Sequence, residues 1–165
     1  MKLLATFGGI TVLILALGFW WFSPSEVIKR RTLKLLDILT FEPGSGTGAR
    51  QMGAYSLNAI LAPEVELTSK SIAEANGTFE RAELESAYSW LSGQAKQSHF
   101  NLENINSLKI ERDTATILFT LEALVELPSY RPADGRYQVN FRWQKSDDGW
   151  RLTRAEWQEA AVARK

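Results

Sequence analysis

Glu122 and Glu126 stand four residues apart in "TLEALVEL" and are the first pair to test for acid–base chemistry. That chemistry needs two carboxylates whose surroundings drive their pKa values apart. Both lie on the side of a strand opposite its apolar residues, and Arg136 and Arg142 lie on the same side of the next run. A hairpin register that sets Glu126 opposite Arg136, or Glu122 opposite Arg142, makes them cross-strand ion pairs worth about 0.2–1 kcal/mol each. That reading is preferred. Asp113, Asp134, Asp147 and Asp148 fall at turns, where aspartate is favoured for its local hydrogen bonding, and Asp37 falls on the charged side of a helix. His99 stands alone just past a helix, which predicts a surface or capping role. Tyr55, Tyr88, Phe119, Tyr137 and Phe141 are candidates to line an apolar cavity, with core packing as the default for each.

Two motifs carry little chemistry. "GSGTGAR" offers Gly44, Gly46 and Gly48, but a phosphate loop needs a strand before it and a Lys-Ser or Lys-Thr pair, and neither is present. An interhelical loop is expected. Asn76 heads a glycosylation sequon, "NGT", which has meaning only in a eukaryotic secretory context. No catalytic, cofactor-binding or metal-binding residue is assigned. The chain has 165 residues with no cysteine and one histidine, so thiolate sites and histidine-rich metal sites within one chain are excluded. Nineteen basic side chains balance nineteen acidic ones, which gives no global field for nucleic acid.

The elements that must position these residues begin with an anchor. Leu3 to Phe22 is an uncharged run of 20 residues ending in Phe-Trp-Trp-Phe. About 20 residues of helix span roughly 30 Å of hydrocarbon, and Trp20 and Trp21 suit an interfacial belt. The rival is a cleaved signal peptide with Ala16-Leu17-Gly18 at the cut, which leaves an awkward aromatic mature end. A retained single-pass membrane helix over residues 1–22 is preferred, with a soluble domain over 23–165. Lys29, Arg30, Arg31 and Lys34 outnumber Lys2 and the amino terminus, which by a literal count keeps the domain cytoplasmic. A short Met-Lys start behaves instead as a signal anchor, and the non-cytoplasmic side is favoured.

"SPSE" predicts a new helix at once, with Ser23 as N-cap, Pro24 in the first position and Glu26 completing a capping box. Over 24–40, Ile28, Leu35, Leu36 and Leu39 form an apolar stripe. A second helix is expected over 49–61 with Met52, Tyr55, Ala59 and Ile60 on its inner side, stopped by Pro63. "EVELTSK" reads as a strand, Asn76-Gly77 as a turn, and 81–96 as a third helix burying Leu84, Tyr88 and Leu91. From His99 the period becomes two. Ala115 through Leu127 at odd positions, and Tyr137, Val139, Phe141 and Trp143, fall on single faces. Such alternation predicts an antiparallel sheet with one face on the core, in an α+β domain.

This order of elements, closing with "KSDDGWRL", resembles the nuclear transport factor 2-like superfamily over roughly residues 24 to 160. The resemblance implies three helices on a strongly curved antiparallel sheet, a ketosteroid isomerase-like cone. It implies no one function. The superfamily holds isomerases, hydrolases, dehydratases, small-molecule binders and non-catalytic domains that dimerise or dock partners. Some members carry an N-terminal membrane helix. The expected function is a membrane-tethered, non-catalytic interaction or assembly domain with no cofactor. The alternative is a binder or enzyme using the cone. Leu118 and Leu124 interrupt an otherwise polar sheet face, which points to a homodimer or protein partner there.

Overall fold

Helix α1 (Pro24–Leu39) starts where "SPSE" predicts, with Ser23 as N-cap and Pro24 in the first turn. The computed structural model describes residues 23–128 and 132–160. The apolar run 3–22, with the anchor reading that rests on it, lies outside these residues, and among the described residues no helix is long and apolar enough to cross a membrane. The expected capping box at α1 is not formed. Ser23 Oγ meets Ser25 Oγ at 3.1 Å, and Glu26 pairs with Lys29 Nζ at 2.8 Å. A full positive charge one turn away wins the carboxylate from a backbone N–H. The predicted stripe holds: Ile28, Leu35 and Leu36 are buried and Leu39 is half-buried.

Helix α2 (Thr47–Asn58) presents a different face from the expected one. Of the expected inner side, Met52, Tyr55 and Ala59 are exposed and only Ile60, beyond the helix end, is buried, while Gly53, Ala54 and Leu57 turn inward. The cause is Gly53. A Cβ there would sit 2.3 Å from the hydroxyl of Tyr88, so only glycine lets helix α3 (Arg81–Gln94) approach this closely. Tyr88 then donates its hydroxyl to the Ile38 carbonyl at 2.8 Å, tying all three helices together. Arg50 closes the other end of the layer. Its Nη1 donates to the carbonyls of Ser92 (2.7 Å) and Ala95 (2.8 Å), and its guanidinium lies 4.5 Å from the Phe41 ring centre. Carbonyls left over at the C-terminal end of α3 are thereby satisfied by a cation, which the helix dipole favours.

The strands are β1 (Leu61–Ser69), β2 (Gly77–Glu80), β3 (Gln97–Glu111), β4 (Thr114–Glu126), β5 (Ala133–Ser146) and β6 (Gly149–Glu159). They form one curved sheet in the order β2-β1-β6-β5-β4-β3. The sheet is mixed rather than antiparallel throughout, because β1 pairs parallel with β6. No hairpin joins these two strands, so alternation within each says nothing of their relative direction. Two register shifts in β3, between Leu102 and Asn104 and between Ile105 and Ser107, mark irregularities of the kind that bend a strand. Phe41 bridges Ser98, and Thr40 Oγ1 accepts the Phe100 N–H, so the loop after α1 covers the start of this edge strand.

Candidate functional site

Odd-numbered residues 115–123 of β4 and 139–143 of β5 face the core and are packed shut. Ile117, Phe119 and Trp143 have 0% exposure, so they line no space that a water molecule can enter. Phe119 meets Phe141 edge-to-face at 5.0 Å, and Phe141 meets Trp143 in the same manner at 6.2 Å. Tyr88 is buried and its hydroxyl is engaged by Ile38; burial pushes its pKa up. Tyr137 is half-buried against the same core, and burial, then Glu159 and Asp134, raise its pKa. Of the five side chains considered as cavity lining, the structure brings Phe119 and Phe141 together and sets Tyr88 and Tyr137 at the core. Tyr55 stands outside in solvent, because Gly53 takes the inner position on its helix.

The carboxylates stand on the other side of the sheet. Both registers expected for Glu122 and Glu126 are displaced: Glu122 lies opposite Arg136, and Arg142 lies opposite Thr116. Alternation fixes a strand's face but leaves its offset free in steps of two residues. Arg136 Nε in turn reaches past Glu122 to Glu103 at 2.6 Å. Glu126 accepts from Lys96 Nζ and Gln97 Nε2, each at 2.9 Å, and those hydrogen bonds hold it below the usual carboxylate range. That is the reverse of what a general acid needs. His99 is exposed on β3, opposite Leu124. Among the described residues no group of three or more histidine or acidic side chains is gathered for a metal ion.

Leu118 and Leu124 share this outer face but do not form one patch. Six residues of strand separate them by about 20 Å. Exposed Glu122 and buried Thr120 lie between. Leu118 sits mid-sheet, flanked by Ser107 and Asn140, and Leu124 sits near the strand end between His99 and Asp134. Around Leu118 the polar side chains are cross-linked. Thr120 Oγ1 donates to Asn106 Oδ1 at 3.2 Å, Gln158 Nε2 to Gln138 Oε1 at 3.0 Å, and Lys70 Nζ to Gln158 Oε1 at 2.6 Å.

No family model matches the chain, and no curated protein matches it. Solved structures do. An NTF2-like protein from Cytophaga hutchinsonii superposes with a TM-score of 0.64 at 18% identity, over 84% of this chain and 100% of that one. The fold is nuclear transport factor 2-like. A Novosphingobium aromaticivorans protein provisionally named a scytalone dehydratase matches with a TM-score of 0.62 at 15% identity, over 81% of each chain. An Exiguobacterium sibiricum protein provisionally named a Ca/calmodulin-dependent kinase II association domain matches at 0.61 and 11%, over 86% of this chain and 97% of that one. At such identities the nuclear transport factor 2-like architecture is shared and its chemistry is not transferred.

Sequence reasoning missed the exposure of Met52, Tyr55 and Trp90 on the helical side. The signal available was Gly53, a helix-interior glycine next to two large side chains, which marks a tight face beside an open one.

Proposed function

We propose that this chain is a membrane-tethered interaction or assembly module that works through its outer surface, without catalysis. The observation that carries this is the closed inner face: Ile117, Phe119 and Trp143 have no exposure, and Phe119 and Trp143 each pack edge-to-face on Phe141, which leaves no room for a substrate there. The tether is the apolar run 3–22, with the domain on the non-cytoplasmic side. Helix α1 begins at Pro24, two residues beyond that run, which holds the domain against the bilayer. The partner surface is the outer sheet face centred on Leu118, an apolar centre inside a polar rim, and the partner is a second copy. A twofold contact buries the same patch on both subunits, and tethering makes a modest interface sufficient by raising local concentration.

Sedimentation of the full chain in nonionic detergent tests this. A dimer that becomes monomeric with Leu118→Glu is expected. A monomer at high concentration, together with saturable uptake of an apolar small molecule, would transfer the function to the interior. Carbonate washing of membranes tests the tether separately: the chain is expected to remain in the pellet at full mass.

A further inference from the structure

The outer sheet face carries its loose charges at opposite ends. Lys109 on β3 and Arg142 on β5 both lie beside Thr116 of β4, one on each side. Both are exposed, and among the described residues neither makes an ion pair. Arg154, opposite Arg142 on β6, holds Glu66 at 3.4 Å and Glu156 at 3.9 Å, so both of these carboxylates belong to another guanidinium. Further along β4, exposed Glu122 makes no ion pair among the described residues either. Arg136 shares its row, but Arg136 Nε is committed to Glu103, and the row keeps one negative charge in excess. Six residues of strand, about 20 Å, separate Glu122 from the two cations, against a screening length of about 8 Å at physiological salt. Within one chain these charges do not neutralise each other.

A second copy brings them together. A twofold contact sets residue i of one subunit on residue j of the other, and j on i. Sheets packed face to face lie about 10 Å apart, with the axis in the plane between them. If that axis ran along β4, Leu118 would meet the partner's Leu118. Lys109 of each copy would then face the partner's Arg142, which gathers four unpaired cations and is repulsive. If the axis crosses β4 at position 119, Leu118 rests on the partner's Thr120, close to the axis. Thr116 then faces the partner's Glu122, and that carboxylate enters the space between Lys109 and Arg142. The contact occurs twice, once on each side of the axis. Two strands away on β6, Glu156 comes to the partner's Gln158, beside the partner's Lys70. Within each copy Lys70 Nζ already bonds Gln158 Oε1 at 2.6 Å, so this end of the contact is partly ordered in advance.

We propose that the chain self-associates about a twofold axis crossing β4 at position 119, with Glu122 of each copy seated between the partner's Lys109 and Arg142. This rests on the reading of the outer face as a self-association surface. It adds the register of the contact and the charges that select it.

Charge reversal in two separate full-length chains, kept in nonionic detergent, tests the register. In Arg142→Glu homodimers a carboxylate faces Glu122, and in Glu122→Arg homodimers a guanidinium faces Arg142. Each variant should therefore dimerise about tenfold or more weakly than the parent in sedimentation. Mixed together, the two variants present opposite charges at both contacts. Native mass spectrometry separates the three dimers by mass, and the mixed one should exceed the other two about tenfold, against about half of all dimers for random pairing. A mixed dimer also shows that both variants are folded. Lys34→Glu makes the same reversal on α1 and should leave dimerisation unchanged, whereas sodium chloride should weaken the parent dimer. A parent dimer that Leu118→Glu dissolves, with random pairing or no pairing in the mixture, overturns the register and leaves the outer-face reading standing. A parent chain that is monomeric at high concentration overturns both.

Discussion

The two faces of β4 are made of alternate residues on one backbone and differ in what surrounds them. Ile117, Phe119 and Leu121 look inward and are sealed, whereas Thr116, Leu118 and Glu122 look outward among amides, guanidinium groups and carboxylates. The inner face has its partners within the chain and serves stability. The outer face is the one that the proposed function assigns to a second molecule. In a sheet that curves around helices, one strand can therefore carry both duties with no residue shared between them.

The sharpest way to break that division is at Phe119. Phe119→Ala should cost about 3–5 kcal/mol, read as a fall in the urea midpoint, because a sealed aromatic ring leaves a cavity and loses its edge-to-face neighbour. A loss below about 1 kcal/mol would mean that the inner face is not the sealed one. In the helical layer, Gly53→Ala should cost about 1–3 kcal/mol, since its Cβ would enter the space of Tyr88. Gly48→Ala, in the same helix with nothing within 4 Å of its added Cβ, should be neutral or stabilise by up to about 1 kcal/mol. Thermal melts of the two variants make the comparison, and equal shifts would remove the close approach of α2 to α3.

On the outer face, Leu118→Glu should change stability by no more than about 0.5 kcal/mol while abolishing self-association. Leu124→Glu, about 20 Å away along the strand, should leave the proposed dimer intact. The smallest effect is expected at the β5–β6 turn. Asp148 is held well below its ordinary value of 3.8, mainly by Arg151 and Ser146. Its folded-state pKa is depressed, so its contribution is present above the unfolded value and is lost as pH falls below it. Asp148→Asn should lower the melting temperature slightly at pH 7, where the contribution is fully present, and flatten its fall between about pH 4 and pH 2, so that parent and variant converge in acid.

The inner-face residues 115–123 and 139–143 were legible because a period of two admits one phase per buried face. The stripe on α1 was legible for the same kind of reason, with a period near 3.6. What stayed hidden depends on partners far along the chain. Helix α2 contains glycine, alanine and serine around Met52 and Tyr55, and the choice of inner side was made by Tyr88, 35 residues beyond Gly53. Arg50 reads as an ordinary surface cation until Ser92 and Ala95 arrive 42 and 45 residues later. The register of Glu122 against Arg136 depends on an offset that alternation leaves open, and the direction of β1 against β6 depends on a pairing that crosses most of the domain. For the proposed partner surface, Leu118 and Leu124 were visible as exceptions to a polar pattern, but their separation follows only when distance along the strand is considered.

The parallel seam between β1 and β6 also sets a schedule for the growing chain. Leu61 pairs with Leu152, and the ribosome delivers the second roughly ninety residues after the first. At about 5–20 residues per second, the wait is on the order of 5–20 s. Once β2 has followed, β1 can pair on one side but keeps an unpaired row of N–H and C=O groups on the other until β6 arrives. Loss of the final strand by truncation would make this transient exposure permanent and leave β1 open to another copy of itself.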